Sequence, residues 1–139
     1  MDNILDIQDL HTYFFTEAGV VKAIDGVSLQ VQRGETHGLV GESGSGKTVT
    51  ALSTLRIVPR PGKIVGGKII FNGTDVLTLE EKEMRKLRGK EIAIVFQDPM
   101  SSLNPLYTIS SQLTEIIRLH KGLNKEEAIK VAMEHVPAV

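Results

Sequence analysis

Apolar and polar positions change their period several times along this chain. Val20-Val21-Lys22-Ala23-Ile24 and Val27-Ser28-Leu29-Gln30-Val31 are short β-branched runs punctuated by Gly19, Gly26 and Gly34, and they predict two strands. The second alternates apolar Val27, Leu29 and Val31 with polar Ser28 and Gln30, as a half-buried strand does. Thr36-His37-Gly38-Leu39-Val40 is more uniformly apolar and predicts a strand running straight into a glycine-rich loop. From Lys47 to about Val58, Val49, Leu52, Leu55 and Ile57 recur at near-helical spacing until Pro59 and Pro61 stop the helix.

Beyond the prolines, Lys68-Ile69-Ile70-Phe71 predicts a strand leading into the turn Asn72-Gly73. Thr78, with Glu81 three residues on, has the form of a capping box that opens a charged surface helix through about Arg88. Glu91-Ile92-Ala93-Ile94-Val95-Phe96 has the pattern of a buried strand, and Pro99 and Pro105 force loop after it. Ser110 to Lys121 carries Leu113, Ile116, Ile117 and Leu119 on a helical repeat. A last helix starts at Asn124, with Glu127 placed to complete its cap. An antiparallel β start followed by strand, loop, helix and another buried strand predicts an α/β fold: a P-loop nucleotide-binding core with an antiparallel β subdomain.

Composition narrows the function classes. Apolar residues make up 41% and charged residues 24% of 139, the balance of a folded globular chain. A net charge of -1 argues against a broad nucleic-acid footprint, so no nucleic-acid partner is expected. The absence of Cys removes disulfides, thiolate metal sites and a Cys nucleophile, and fits a reducing compartment. Met1-Asp2-Asn3-Ile4 lacks the basic start of a secretory signal, and no run of about 18 apolar residues predicts a membrane span. Any service to a membrane would pass through a partner.

Gly41-Glu42-Ser43-Gly44-Ser45-Gly46-Lys47-Thr48 fits the phosphate-binding pattern G-x-x-x-x-G-K-[ST], with an apolar run before it and a helical run after. Each residue type has a chemical reason. Gly44 and Gly46 let the backbone fold closely around phosphate oxygens. The N–H groups of Ser45, Gly46, Lys47, Thr48 and Val49 then point inward and add to the positive end of the helix. Lys47 supplies a full charge to the β- and γ-phosphates, and Thr48 offers a hydroxyl to Mg²⁺. The expected ligand is MgATP. Other glycine readings fare worse, because a dinucleotide fingerprint starting at Gly44 would need a small residue at Val49, and a nucleophile elbow on Ser43 would need Gly at Ser45. Asn124-Lys125-Glu126-Glu127 approaches the guanine-reading N-K-x-D segment but ends in Glu. A small-molecule kinase remains an alternative, with Asp98 as its magnesium carboxylate after the strand ending at Phe96.

Taken together, Gly41 to Thr48, Val65-Gly66-Gly67-Lys68-Ile69, Phe71-Asn72-Gly73 and Phe96-Gln97-Asp98-Pro99-Met100-Ser101-Ser102-Leu103-Asn104-Pro105 resemble the ATP-binding subunit of ABC transporters. The narrower resemblance is to the dipeptide/oligopeptide/nickel importer branch, over about Leu5 to His120. It implies that Gln97 is the Q-loop glutamine, reaching Mg²⁺ and the attacking water. It also implies an aromatic stack for adenine at Phe14, with Tyr13 as the second candidate. The implied partners are a second ATP-binding subunit, two membrane-spanning permease subunits and, indirectly, an extracytoplasmic solute-binding protein. The implied place is the cytoplasmic face of the membrane.

Members of that family continue into a signature-bearing helical region, an Asp-Glu strand and a switch histidine, none of which is found in this sequence. The chain is therefore expected to be the N-terminal part of one such domain. Its β subdomain and P-loop core would span about 1–98, and the Q-loop and start of the helical subdomain about 97–139. Hydrolysis by this chain alone is expected to be negligible. A non-catalytic nucleotide-binding or regulatory module stays open beside the transporter reading.

Overall fold

The computed structural model describes residues 3–97 and 103–135, which separate after Ile92 into two compact units. In the first, strands β1 (Asn3–Thr16), β2 (Gly19–Gln32), β3 (Gly62–Phe71) and β4 (Thr74–Asp75) form one antiparallel sheet in the order β2-β1-β3-β4. The two short β runs read between Val20 and Val31 are one strand of 14 residues. Gly26 (φ 85) does not end it. The pairing register jumps there, from Leu10↔Val27 to His11↔Asp25, and glycine accommodates the bulge. Asn72 (φ 49) and Gly73 (φ 81) make the expected two-residue turn between β3 and β4.

Ile7, Leu10, Ile24, Ile69, Phe71, Val76 and Met84 form the core of this unit. Helix α2 (Glu81–Leu87) contributes Met84. Its cap is Glu80, reciprocally bonded with Glu83, instead of Thr78. The Thr78 hydroxyl donates to the Asp75 carbonyl in the preceding turn, so Thr78 belongs to that turn and the helix begins later.

Helix α1 (Lys47–Thr54) is shorter than its apolar pattern predicts, and its buried face is polar. Thr50, Ser53 and Thr54 are buried, with hydroxyls donating to Gly46 O, Val49 O and Thr50 O at 3.0, 2.7 and 3.0 Å. Hydroxyls satisfied within the helix lose little on burial. The Ser53 Oγ also meets the Thr12 Oγ1 of β1 at 2.9 Å, a buried link between helix and sheet. Because the Ser53 proton goes to Val49 O, Thr12 is the donor in this pair.

Two expected strands are not strands. Residues 36–40 and 91–96 form no strand, with Val40 94% and Val95 95% exposed, and the second segment makes only an isolated Arg88↔Ile92 bridge among the described residues. A strand exists only where a neighbour accepts its ladder, and among the described residues neither segment has one.

On the outer face of the β1–β2 pair, Asp25 gathers three donors. Tyr13 OH donates to it at 2.6 Å, His11 Nδ1 lies 3.0 Å away, and Lys22 Nζ donates at 3.2 Å. His11 Nε2 is also 3.2 Å from Asp9 Oδ1. The Tyr13 hydrogen bond, then those of His11 and Lys22, hold the Asp25 carboxyl at about 2. The bond to Asp25 pushes the His11 imidazole above its ordinary value, with Asp9 adding to the effect.

In the second unit, α3 (Ile109–Lys121) starts at Thr108, whose hydroxyl accepts from Ser111 N at 3.2 Å, and ends at Gly122 (φ 68). Helix α4 (Lys125–His135) opens with the expected Asn124–Glu127 capping box, both bonds at 3.0 Å. Ala128 and Ala132 of α4 and Thr114 of α3 are the buried side chains of the pair. No helix among the described residues is long and apolar enough to cross a membrane.

Two measurements check this account. Thr12→Val keeps the shape but removes the hydrogen bond to Ser53, and should lower unfolding free energy by about 1 kcal/mol in urea titration. Because its folded value is raised, His11 contributes stability that is full below about 6.5 and is lost as pH rises through that raised value. An NMR titration should place the His11 midpoint above 6.5, and Asp25→Asn should bring it down.

Candidate phosphate-binding site at the start of α1

The first turn of a helix leaves backbone N–H groups without an intrahelical carbonyl. In α1 the first ladder bond is Thr50 N to Gly46 O at 2.8 Å, so the amides of residues 46–49 precede it. Gly46 is the helix N-cap with φ 92, and Gly44 has φ 82. Both stand in the left-handed region that glycine adopts without a Cβ penalty. Gly46 has a second constraint: a Cβ there would lie 2.6 Å from the Ala23 carbonyl oxygen of β2. Only a residue without a side chain lets the loop sit this close to the sheet.

The result is a concave cavity of about 130 Å³ lined by Ala23, Gly44, Ser45, Gly46, Lys47, Thr48 and Val49. At about 30 Å³ per water that is room for roughly four waters, enough for a phosphoryl group and too little for a whole nucleotide. Lys47 Nζ reaches back across the loop and donates to Gly41 O at 2.8 Å, Glu42 O at 2.6 Å and Ser45 Oγ at 3.2 Å. The Ser45 amide, expected to point inward with the others, donates to Glu42 O at 3.2 Å and closes a turn. Thr48 presents an exposed side chain at the second helical position. Among the described residues the lining contains no carboxylate.

Gly41 and Ser43 belong to the loop but do not line the cavity. Gly41 is tight in another way, since a Cβ there would stand 2.7 Å from Ser45 Oγ. Val49 turns its side chain to the core. Phe14 is half-buried on β1, with Cε1 against Gly62, where an added Cβ would be 2.8 Å away. It is not among the lining residues. Tyr13 is engaged with Asp25. Gln97 is an exposed residue at a bend in the second unit, whereas the loop belongs to the first. Asp98 and the run Pro99 to Ser102 lie outside the described residues. Sequence reasoning missed Ala23, because strand register brings it to the loop and no motif spacing encodes that.

Comparison with known proteins agrees with this geometry. The family described as ABC transporter matches residues 24–139. The chain is 47% identical over 134 residues to a probable peptide ABC transporter ATP-binding protein (y4tR) of Sinorhizobium fredii, covering 96% of this chain and 40% of that protein. It is 46% identical over 132 residues to the oligopeptide transport ATP-binding protein OppD of Bacillus subtilis, covering 94% and 37%. It is 44% identical over 122 residues to the dipeptide transport ATP-binding protein DppD of Escherichia coli, covering 88% and 37%. The chain thus spans about two-fifths of the length of these relatives.

Among solved structures, the dimeric bacterial ABC transporter cassette MJ0796 matches with a TM-score of 0.79 at 23% identity, over 94% of this chain and 54% of that one. The same cassette in a post-hydrolysis state bound to ADP and Pi matches with a TM-score of 0.76 at 21% identity, with the same coverage. These two likenesses concern the fold, which is that of an ABC ATPase cassette. The glycine loop is followed by the expected helix but not preceded by the expected strand, and the chain belongs to the ABC transporter family.

Proposed function

We propose that this chain is the phosphate-gripping part of an ATP-binding subunit that energises ABC-type import of di- or oligopeptides, or of nickel. The observation that carries this reading is the cavity at the head of α1, lined by the residues whose amides precede the first ladder bond, with the Lys47 ammonium held by the same loop. Its relatives named for peptide, oligopeptide and dipeptide transport supply the substrate class.

Lys47 already makes three hydrogen bonds to the loop, so binding is an exchange. The ammonium gives up neutral carbonyl and hydroxyl acceptors for phosphate oxygens, which carry a full opposite charge and so add Coulomb attraction to the hydrogen bond. The amides of residues 46–49 add fixed dipoles that need no rearrangement. A magnesium ion fits this donor set, because Mg²⁺ commonly takes few protein oxygens beside waters and substrate phosphates, and Thr48 offers one hard hydroxyl. When bound, the ion would neutralise phosphate charge. Gln97 would orient water, and Phe14, with Tyr13 second, would stack on the base. In this reading the working assembly pairs two ATP-binding subunits beneath two permease subunits at the cytoplasmic face, served by a solute-binding protein outside.

One observation favours a second reading for this chain by itself. Among the described residues no carboxylate lines the cavity to serve as general base, so binding without turnover is expected. Titration calorimetry should detect MgATP binding to the chain while a phosphate-release assay stays at background. Lys47→Ala should weaken that binding about tenfold or more, the loss of one charge-assisted bond. Gly46→Ala should weaken it further, because the Cβ pushes the loop off Ala23. Unchanged affinity in both variants would remove the cavity from the nucleotide site.

A further inference from the structure

Helix α1 has two ends, and the far one is held by two arginines to which the nucleotide reading gives no role. Eight residues at about 1.5 Å each put that end about 12 Å from the cavity. There, Arg56 N donates to Ser53 O and Ile57 N to Leu52 O, both at 3.0 Å, while Arg56 takes φ 53. This is the Schellman arrangement, in which the left-handed position belongs by preference to glycine. An arginine there bears backbone strain, so its side chain should have a task.

That side chain spans to the segment between β4 and α2. Arg56 Nη1 donates to Leu79 O at 2.6 Å and to Val76 O at 3.0 Å. In the opposite direction, Arg88 at the end of α2 donates from Nε to Leu55 O at 2.8 Å and from Nη2 to Arg56 O at 3.3 Å. Its third nitrogen, Nη1, meets Glu81 Oε1 at 2.6 Å, which orients the planar fork. Arg88 thus binds backbone carbonyls at the end of α1, while Arg56 binds those of the loop that leads into α2. The Arg88 side chain is 23% exposed.

We propose that Arg56 and Arg88 are positioning residues: a two-arginine, arginine–carbonyl lock that fixes the C-terminal end of α1 to α2 and to the loop leading into it, and so sets where its N-terminal amides point. The functional consequence rests on the nucleotide reading, although the lock itself does not. A short helix whose buried face is polar is weakly held by apolar packing, and two directional anchors replace that hold. Cations at the negative end of the helix act with its dipole, opposite the end that faces phosphate. A lysine at position 88 could satisfy one carbonyl, not the fork of three partners.

Amide hydrogen exchange on the full chain without nucleotide, together with MgATP titration, tests this. In Arg88→Gln, exchange at Thr50 to Ile57 should speed up by about tenfold while the β1–β2 amides keep their rates, with an intermediate effect in Arg88→Lys. MgATP affinity should fall by about threefold to tenfold, although Arg88 touches no cavity residue. Arg56→Gly provides the control against simple unfolding. Glycine suits the left-handed turn, so the helix end should persist while the tether to Val76 and Leu79 is lost, again with faster α1 exchange and weaker binding. Exchange that is unchanged in α1, or raised equally in helix and sheet, would overturn the lock. If the wild-type chain binds no MgATP yet α1 alone is loosened in Arg88→Gln, the nucleotide reading falls and the lock stands.

Discussion

The structure turns on the contact between Gly46 and the Ala23 carbonyl. A strand edge and a helix cap meet there at a separation that leaves no room for a Cβ. Everything chemically useful follows from that approach. The loop can curl over β2, α1 can begin directly above the sheet, and the first-turn amides share a cavity with Lys47. The left-handed backbone at Gly46 and the steric limit at Ala23 are independent demands on one residue, and both exclude a side chain. The two together leave no room for a side chain at position 46.

Holding a loop this way would be useless if the helix behind it could tilt. α1 is only eight residues long, and it buries Thr50, Ser53 and Thr54 against the sheet in place of a leucine stripe. The hydroxyls are satisfied by carbonyls one turn back, so burying them leaves no orphaned polar atom among the described residues. Such a face gives directional attachment but modest apolar burial. The Thr12–Ser53 bond fixes the helix laterally, and the carbonyls at its far end are bound by guanidinium groups. A polar interface also limits sliding, because a hydrogen bond is lost over a shorter displacement than an apolar contact.

Legibility in the sequence followed how local each interaction is. The loop from Gly41 to Thr48, the Asn72-Gly73 turn, the Asn124–Glu127 cap and the helix ending at Lys121 depend on residues within a few positions of one another, and all were readable. What could not be read depends on distant partners. Ala23 reaches the cavity through strand pairing, and Gly26 is a bulge only because β1 carries its own irregularity opposite. The cap moved from Thr78 to Glu80 because Thr78 had a competing local acceptor, the Asp75 carbonyl. Of the apolar stripe read on α1, Leu55 is buried and Val49 packs on the core, but the buried Thr50, Ser53 and Thr54 were not foreseen, since periodicity cannot tell a satisfied hydroxyl from a solvated one.

Residues 36–40 and 91–96 show the same limit from the other side. Their composition is that of strands buried on both faces, and that composition is a statement about neighbours as much as about the segments themselves. Val40 and Val95 are almost fully exposed because no described strand lies beside them. The antiparallel sheet of the first unit forms two hairpins, β1 to β2 and β3 to β4, and joins them through the long-range β1–β3 pairing, Leu5↔Phe71 to Phe14↔Gly62. A parallel ladder has no such shortcut and must recruit strands from far along a chain. The loop at the head of α1 is therefore specified by residues within a few positions of one another, whereas the apolar runs on residues 36–40 and 91–96 depend on neighbours that the described residues do not include.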